Sequence, residues 1–485
     1  MILATKSFTQ DEQIAFADYS GDYNPIHLDP LSARRTQIGR QIVHGMNAFL
    51  WALDAVAGSD IDFTRFITLK VDFRKPIYVG EPLVVVIVNR SATKLKVDLC
   101  ADEVVLATIL LDVAANPDRE ISHRETIDGP RSPLETVAQG MEKIQPCSGT
   151  LPLSVAASPA PSIEAQYRNA VSWLGLPRFR GIAALSRLVG MECPGLHSLF
   201  LSAELVLVQA DGADNLAFAV REVDERFQIV RIATKSSALA GIVTARIRAK
   251  PVAQPLFSEV AAYVLPGEFA GQTPLIIGGS RGLGELTAKI YAAGGARPII
   301  SYVAGQTDAE RVADEIAQGG GYASVIKYDA TDPSEAQLTQ LRATPRQLYY
   351  FATARIARRK RELFERTLLD DFLKSYVSGF YELCRALGKN HSPSLSVFYP
   401  STTYIEQSPR GMTEYVMAKL AGEALCRDIT RYDRSIKILV RRLPPLLTDQ
   451  TSVVSNVGSS EQAIETLLPI VREIARMGEE PKDPA

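Results

Sequence analysis

Leu275-Ile276-Ile277-Gly278-Gly279-Ser280-Arg281-Gly282-Leu283-Gly284 reads as a short apolar strand, a glycine turn and the opening of a helix. A helix over Leu283–Ala293 follows, then a strand over Pro298–Tyr302, a second helix, and a strand over Ser324–Tyr328. Continuous apolar strands separated by helices predict a parallel sheet covered on both faces. Glycines in such a turn permit a tight bend and let the backbone approach a pyrophosphate resting on the helix N-terminus. Gly278, Ser280, Arg281, Gly282, Leu283 and Gly284 are the candidate contacts, and Asp329, after the third strand, is placed for an adenine amino group.

Downstream, Tyr415-Val416-Met417-Ala418-Lys419 sets a phenol and an ammonium at i and i+4, on one helix face. A nearby ammonium stabilises phenolate, which suits an acid–base tyrosine. Ser401 and Thr402 follow an apolar strand, Leu395–Tyr399, 14 and 13 residues upstream of that tyrosine. In this order the set resembles the short-chain dehydrogenase/reductase family over about residues 272–455. The resemblance implies Tyr415 as proton donor or acceptor, Lys419 as ribose anchor, and Ser401 or Thr402 as the substrate-polarising hydroxyl. Ala330 and Ala352 would also line the cofactor. The sequence departs from the family where Ile277 replaces a threonine, Phe351-Ala352-Thr353-Ala354 replaces Asn-Ala-Gly, and Tyr376 occupies the relay asparagine's place. The strand ending Ile300-Ser301-Tyr302 offers no acid for a ribose 2'-hydroxyl, and Arg281 suits a 2'-phosphate, so NADP is favoured over NAD.

Residues 1–115 show another pattern. An apolar helix from Gly45 to about Ala57, closed by Gly58, precedes strand-like runs at Phe66–Phe73, Leu83–Val88, Leu95–Cys100 and Val104–Val113. Alternation such as Thr68-Leu69-Lys70-Val71-Asp72-Phe73 suits a sheet with one wet face, and a helix packed on the other face makes an α+β unit. Residues 116–162 lose periodicity and collect Pro, Ser, Asp and Arg, which predicts a linker. Residues 163–252 repeat the element order, with a helix-like Gly181–Gly190 and runs at Leu199–Val208, Leu216–Glu222, Phe227–Ile232 and Gly241–Ile247. A duplicated domain is expected, and a reductase-like domain over 270–475 completes the chain.

Ser20-Gly21-Asp22-Tyr23-Asn24-Pro25-Ile26-His27 puts a carboxylate and an imidazole five residues apart across a turn. Proline fixes its own φ and pushes Asn24 out of the helical region, so both side chains can address one water. His44-Gly45-Met46 opens the apolar helix, whose N-terminal amides can hold a developing oxyanion. This phrase resembles the MaoC-like dehydratases, (R)-specific enoyl-CoA hydratases with a hot-dog fold, over about residues 7–113. The resemblance implies an Asp22–His27 dyad that adds water to C3 of a trans-2-enoyl thioester and exchanges the proton at C2. The Gly45 amide would steady the enolate, while His44 belongs to the helix start. The second copy lacks the motif and reads as degenerate, with His197 isolated; it would complete an internal pseudo-dimer.

The 485 residues, 46% hydrophobic and 22% charged, fit about three globular domains. A formal net charge of -2 argues against nucleic acid as a partner. No apolar run reaches the roughly 18 residues of a membrane span, and Met1–Phe8 is too polar for a secretory signal. Five cysteines without a Cys-x-x-Cys pair suggest neither a disulfide framework nor a thiolate metal site, so a reducing cytoplasm is expected. The fold expectation is α+β followed by α/β, two tandem hot-dog domains ahead of a Rossmann-type doubly wound sheet. The functional expectation is a bifunctional, homo-oligomeric enzyme on acyl-CoA or acyl carrier protein thioesters, dehydratase/hydratase at one site and 3-oxoacyl reductase at the other. A reductase half acting on another carbonyl, such as a nucleotide sugar, or binding cofactor without catalysis, are the alternatives.

Overall fold

The computed structural model describes residues 1–61, 65–113, 144, 147–153, 163–208, 215–356, 358–388, 394–451 and 460–477. It separates into two compact units, Met1–Lys250 and Pro251–Ala485. The break at 250/251 lies close to the expected end of the second segment at 252.

The first unit is built on one antiparallel sheet of ten strands. Its first half holds β1 (Ile2–Ser7), β2 (Thr68–Phe73), β3 (Pro82–Arg90), β4 (Lys94–Ala101) and β5 (Val104–Asp112). The second holds β6 (Ser148–Pro152), β7 (Ser198–Leu207), β8 (Asn215–Asp224), β9 (Ile229–Lys235) and β10 (Leu239–Ile247). The sheet order is β1-β3-β4-β5-β2-β7-β10-β9-β8-β6, so each half repeats the other's strand order. The halves join where β2 and β7 pair antiparallel, from Thr68↔Val206 to Asp72↔Ser202. Two edges that would each present unpaired N–H and C=O groups are thereby satisfied. Over this sheet lie the helices Gly45–Ala57 and Leu176–Arg187, packed on one another. One core cluster runs through both halves, including Phe49, Leu53, Leu69, Ile182, Leu185 and Leu205. Complete burial of Phe49, Leu50 and Leu53 stabilises the unit by about 1.5–3 kcal/mol each.

One expectation needs correction. The stretch 116–162 is not all linker, since β6 pairs with β8 from Ser148↔Ala219 to Pro152↔Asn215; residues 114–143, 145–146 and 154–162 lie outside the described residues. As an edge strand only five residues long, β6 carries too little apolar periodicity to stand out. The same holds for β1, an edge strand whose residues are mostly exposed or half-buried. Gly58 ends its helix as expected, at φ -80°. A Cβ there would lie 2.8 Å from Nδ2 of Asn169, whose side chain would have to shift.

The second unit carries a parallel sheet of β11 (Leu275–Ile277), β12 (Ile299–Tyr302), β13 (Ser324–Lys327), β14 (Gln347–Tyr350), β15 (Leu395–Thr402) and β16 (Ile436–Leu443). Its order is β13-β12-β11-β14-β15-β16, the doubly wound arrangement expected from the βα alternation. Core clusters cover both faces, one around Ile276, Leu286 and Tyr349, the other around Ile277, Leu348 and Val397. The order reverses between β11 and β14, which opens a crevice at the carboxyl ends of those strands. Among the described residues, no helix is long and apolar enough to cross a membrane.

Candidate active site

The Asp22–His27 turn is fixed by local chemistry. The helix Gln10–Ser20 closes at Gly21, whose φ of 77° frees the chain to turn. Asn24 then caps the helical turn Pro25–Leu28, with φ -57° and ψ 124°, and its Oδ1 accepts from the amide of Ile26 at 3.2 Å. Asp22 and His27 converge as a result. His27 Nε2 stands 4.0 Å from Asp22 Oδ2, too far for a direct hydrogen bond and within reach of one bridging oxygen.

Protonation follows from the partners. His27 Nδ1 meets the carbonyl of Ile42 at 2.8 Å. A carbonyl only accepts, so Nδ1 carries the proton and Nε2 presents its lone pair to Asp22. Burial pushes the His27 pKa down, against the raising effect of Asp22, and the Arg248 charge lowers it further. Burial likewise pushes the Asp22 carboxyl up, opposed by His27 and by hydrogen bonds from Ser186 and Asn24. His44 is stacked on His27 with ring centroids 4.0 Å apart. Its Nε2 donates to the Asp22 carbonyl at 3.0 Å, so it braces the backbone beneath the carboxylate. His44 therefore does more than begin a helix.

The second half supplies parts that sequence reasoning missed. Ser186 Oγ donates to Asp22 Oδ2 at 2.6 Å, and Asn24 Nδ2 donates to the carbonyls of Gly190 (3.0 Å) and Leu196 (3.2 Å). Gly190 sits in a π-helical turn, Leu188–Glu192, that continues the helix ending at Arg187. Both fall within the helix-like Gly181–Gly190 of the sequence, where Ser186 and Gly190 look ordinary.

A cavity of about 240 Å³ opens on these groups. Asp22, His27 and Gly45 line it from the first half; Ser186, Gly190 and Phe200 line it from the second. Gly45 begins the helix Gly45–Ala57, and the first amides of a helix have no partner within it. A Cβ at Gly45 would lie 3.0 Å from the Phe73 ring, which leaves room there for little beyond hydrogen.

In the second unit the glycine turn stands where the sequence places it. Gly278 (φ 77°) and Gly282 (φ 59°) adopt left-handed backbone, and a Cβ on Gly284 would lie 2.8 Å from the Gly279 Cα. The Gly278 amide donates to Ser301 Oγ at 3.0 Å, which ties the turn to β12. Ser280 is buried at the turn, and Leu283 lies in the first turn of the helix Gly282–Ala293. Arg281 pairs with Asp449, Nη1 to Oδ2 at 3.2 Å. Asp329 Oδ1 accepts from the amide and hydroxyl of Thr331, both at 2.8 Å. Ala330 is buried against Gly379, and Ala352 follows β14 at the crevice.

Ser401 and Thr402 lie on the last residues of β15, and they separate. Ser401 Oγ donates to Glu423 Oε1 at 2.6 Å, and Glu423 is clamped by Arg442 at 2.8 Å. Thr402 Oγ1 accepts from the Tyr404 amide at 3.2 Å, and its side chain bears on the Tyr415 phenol, lowering its pKa. Burial pushes the Tyr415 phenol up to about 12, and Thr402 only partly offsets it. Lys419 does not lower it as the i, i+4 spacing suggested. Its Nζ donates to the Pro400 carbonyl at 2.7 Å and lies 4.0 Å over the Tyr376 ring, against 6.0 Å from the Tyr415 ring centroid. Burial lowers the ammonium to about 7. The Tyr376 hydroxyl is bonded to that of Thr353, one of the residues replacing the family's Asn-Ala-Gly.

Residues 3–108 match the family model described as MaoC like domain. The chain is 37% identical over 79 residues to the (R)-specific enoyl-CoA hydratase of Aeromonas caviae, covering 16% of this chain and 58% of that one. It is 38% identical over 77 residues to the peroxisomal multifunctional enzyme type 2 of Mus musculus, covering 16% of this chain and 10% of that one. Both matches span less than two thirds of the relative's length. A solved short-chain dehydrogenase from Burkholderia cenocepacia, in complex with NADP, is 20% identical and covers 42% of this chain and 91% of its own, with a TM-score of 0.37. The chain thus carries a MaoC-like domain with hydratase relatives at residues 3–108, and the solved structures similar to it include short-chain dehydrogenases.

Proposed function

We propose that the chain is bifunctional, interconverting enoyl and (R)-3-hydroxyacyl thioesters at the first site and 3-hydroxy and 3-oxo forms at the second. The observation that carries the reading is Asp22 and His27 held 4.0 Å apart over a cavity that the N-terminus of Gly45–Ala57 also lines. One water bridges Oδ2 and Nε2. As its oxygen bonds to C3, the pair takes one of its protons and delivers one to C2, so the pair's proton count is unchanged. Charge collects meanwhile on the thioester oxygen, where the Gly45 amide receives it. The 148–250 half is a second hot-dog copy without the dyad, and it acts by supplying Ser186 and Gly190. Acyl-CoA and acyl carrier protein thioesters both suit this chemistry.

The second unit fits a dinucleotide. The left-handed Gly278 and Gly282, and a Gly284 with no room for a Cβ, leave bare backbone at a helix N-terminus. Gly278, Ser280, Arg281, Gly282, Leu283 and Gly284 would hold the pyrophosphate end, with Asp329, Ala330 and Ala352 toward the adenine and nicotinamide ends. Arg281 favours NADP, sharing its guanidinium between Asp449 and a 2'-phosphate. When bound, the cofactor supplies or accepts hydride. Tyr415, kept protonated near neutral pH by burial, donates its proton to the 3-oxo oxygen, and Thr402 orients that group. Lys419 anchors the ribose side. A homo-oligomer in the cytoplasm remains the expected setting.

Incubation with crotonyl-CoA, with and without NADP, tests the reading by mass spectrometry. The expected products are 3-hydroxybutyryl-CoA without cofactor and acetoacetyl-CoA with it; failure of the first step overturns the hydratase. One observation favours a second reading of the C-terminal half. Lys419 turned onto Tyr376 and Pro400 suits cofactor binding without catalysis, and NADPH binding with no turnover of acetoacetyl-CoA would favour that reading.

A further inference from the structure

The helix Leu176–Arg187 runs on into the π-helical turn Leu188–Glu192 before the chain enters β7. The Cys193 amide donates to the Leu188 carbonyl at 2.7 Å, the i to i+5 bond of such a turn. Arg187 and Glu192 bracket it, also five residues apart. Arg187 Nη2 and Nε lie 3.2 and 3.4 Å from Glu192 Oε1, with the two side chains only 5% and 12% exposed. Side chains meet at i, i+3 or i+4 on an α-helix, so a pair at i, i+5 belongs to the π register. The Val189 carbonyl, released from the α pattern, accepts from the Gly195 amide at 3.0 Å and from Ser198 Oγ at 2.8 Å. Position 194 is proline, with no N–H to claim the Gly190 carbonyl from four residues on. That carbonyl is left for Asn24.

The turn reaches both members of the dyad. Gly190 lies against the Asp22 carboxylate, and its carbonyl accepts from Asn24 Nδ2, while Asn24 caps the Pro25–Leu28 turn that carries His27. Leu188, Val189 and Met191 are buried around an ion pair whose desolvation offsets much of its Coulomb attraction, so stability alone does not account for it. We propose that Arg187 and Glu192 are the positioning pair of the hydratase site. By closing the π turn they set Gly190 against the Asp22 carboxylate and its carbonyl on Asn24. They act through those two residues and are not themselves among the side chains lining the cavity. The inference rests on the hydratase reading and deepens it: the half without a dyad holds the register in which the other half's dyad works.

Crotonyl-CoA hydration by the full chain carrying Arg187→Met/Glu192→Met tests it. Both charges leave together, so none is buried unpaired, and apolar replacement of such a pair is often neutral for stability. The expected result is a kcat at least about tenfold lower with KM within about twofold, since a small misplacement of reacting groups acts on the chemical step. The acid limb of kcat/KM should also move to higher pH, because a shifted Asp22 loses part of the Ser186 hydrogen bond that holds its carboxyl down against burial. His27 and His44, the other titratable groups around that carboxyl, keep their partners in Ile42 and Gln13. Glu192→Gln, which keeps the size and an acceptor oxygen, is a milder second variant whose limb should move the same way. Neither KM nor the limb's midpoint depends on how much of a sample is folded. A natural kcat in the double variant overturns the positioning role and leaves the hydratase intact. A lower kcat with the limb unmoved in both variants overturns it too, because loss of folded protein alone has that effect. Absence of hydration in the natural chain would instead remove the reading on which the inference stands.

Discussion

Gly190 lies directly against the carboxylate of Asp22, so that a Cβ at position 190 would stand 2.8 Å from both Cγ and Oδ2. The two residues belong to different halves of the ten-stranded sheet, and the close approach exists only because β2 and β7 join those halves. Gly190→Ala should therefore push the carboxylate off its position beside His27. A displacement of about 1 Å at reacting groups costs roughly 100-fold in rate, and the overpacking costs about 1–3 kcal/mol of stability. Crotonyl-CoA hydration and the urea midpoint measure the two effects; an active, equally stable variant would contradict this packing.

Asp22→Asn keeps the shape of the side chain and removes its ability to exchange a proton. Hydration should fall by about 10²–10⁴. NADPH binding, followed by fluorescence, reports on the other unit and should persist. Hydration at the natural rate in this variant would remove Asp22 from the chemistry.

Ser186→Ala deletes the hydroxyl that donates to Asp22 Oδ2 at 2.6 Å, one of the interactions holding the carboxyl pKa down against burial. The pKa of Asp22 should rise further and the rate fall about tenfold, with Ser186→Thr recovering part of it. A shifted pH–rate profile distinguishes this from simple loss of packing.

Burial holds His27 and His44 below the ordinary histidine value. Hydration needs the bare Nε2 of His27, so the acid limb of kcat/KM should have its midpoint below about 6.5. Stability carries the same sign. Between the folded and unfolded values only the unfolded chain takes up these protons, so stability is complete above about pH 6.5 and declines as pH falls. Asp22, with a raised carboxyl, contributes oppositely, losing stability as pH rises through its folded value. Melting curves in the Asp22→Asn chain isolate the histidines; a melting temperature independent of pH between 7.5 and 5 would be inconsistent with both being buried and neutral.

Thr402→Val and Ser401→Ala should divide cleanly. The first removes the hydroxyl that lowers the Tyr415 pKa and should lower acetoacetyl-CoA reduction about 10–100-fold. The second breaks the 2.6 Å bond to Glu423 and should appear in thermal unfolding, at about 1–3 kcal/mol. Reversed phenotypes would reassign the polarising hydroxyl to Ser401.

Much of the architecture was legible in short windows. The glycine turn at 278–284, the helix Gly45–Ala57 and the repeated order of strands all appear in the structure. The edge strands β1 and β6 did not announce themselves, since a short edge strand buries little and needs little apolar periodicity. The Tyr415–Lys419 spacing located both residues on one helix but misjudged the ammonium, which Pro400 and Tyr376 draw aside.

The sequence by itself determined what depends on neighbours along the chain: the turn that holds Asp22 near His27, the left-handed glycines, and the two alternations that distinguish the antiparallel from the parallel sheet. Such features follow from φ restrictions, capping and periodicity, each acting over a few residues. Only the tertiary structure decided that Ser186 and Gly190 complete a site more than 160 positions away, and that Ser401 turns to Glu423 while Thr402 bears on Tyr415. Those contacts arise from strand pairing between halves and from helix packing, where the partner of a side chain is set by distance in space and leaves no trace in local spacing.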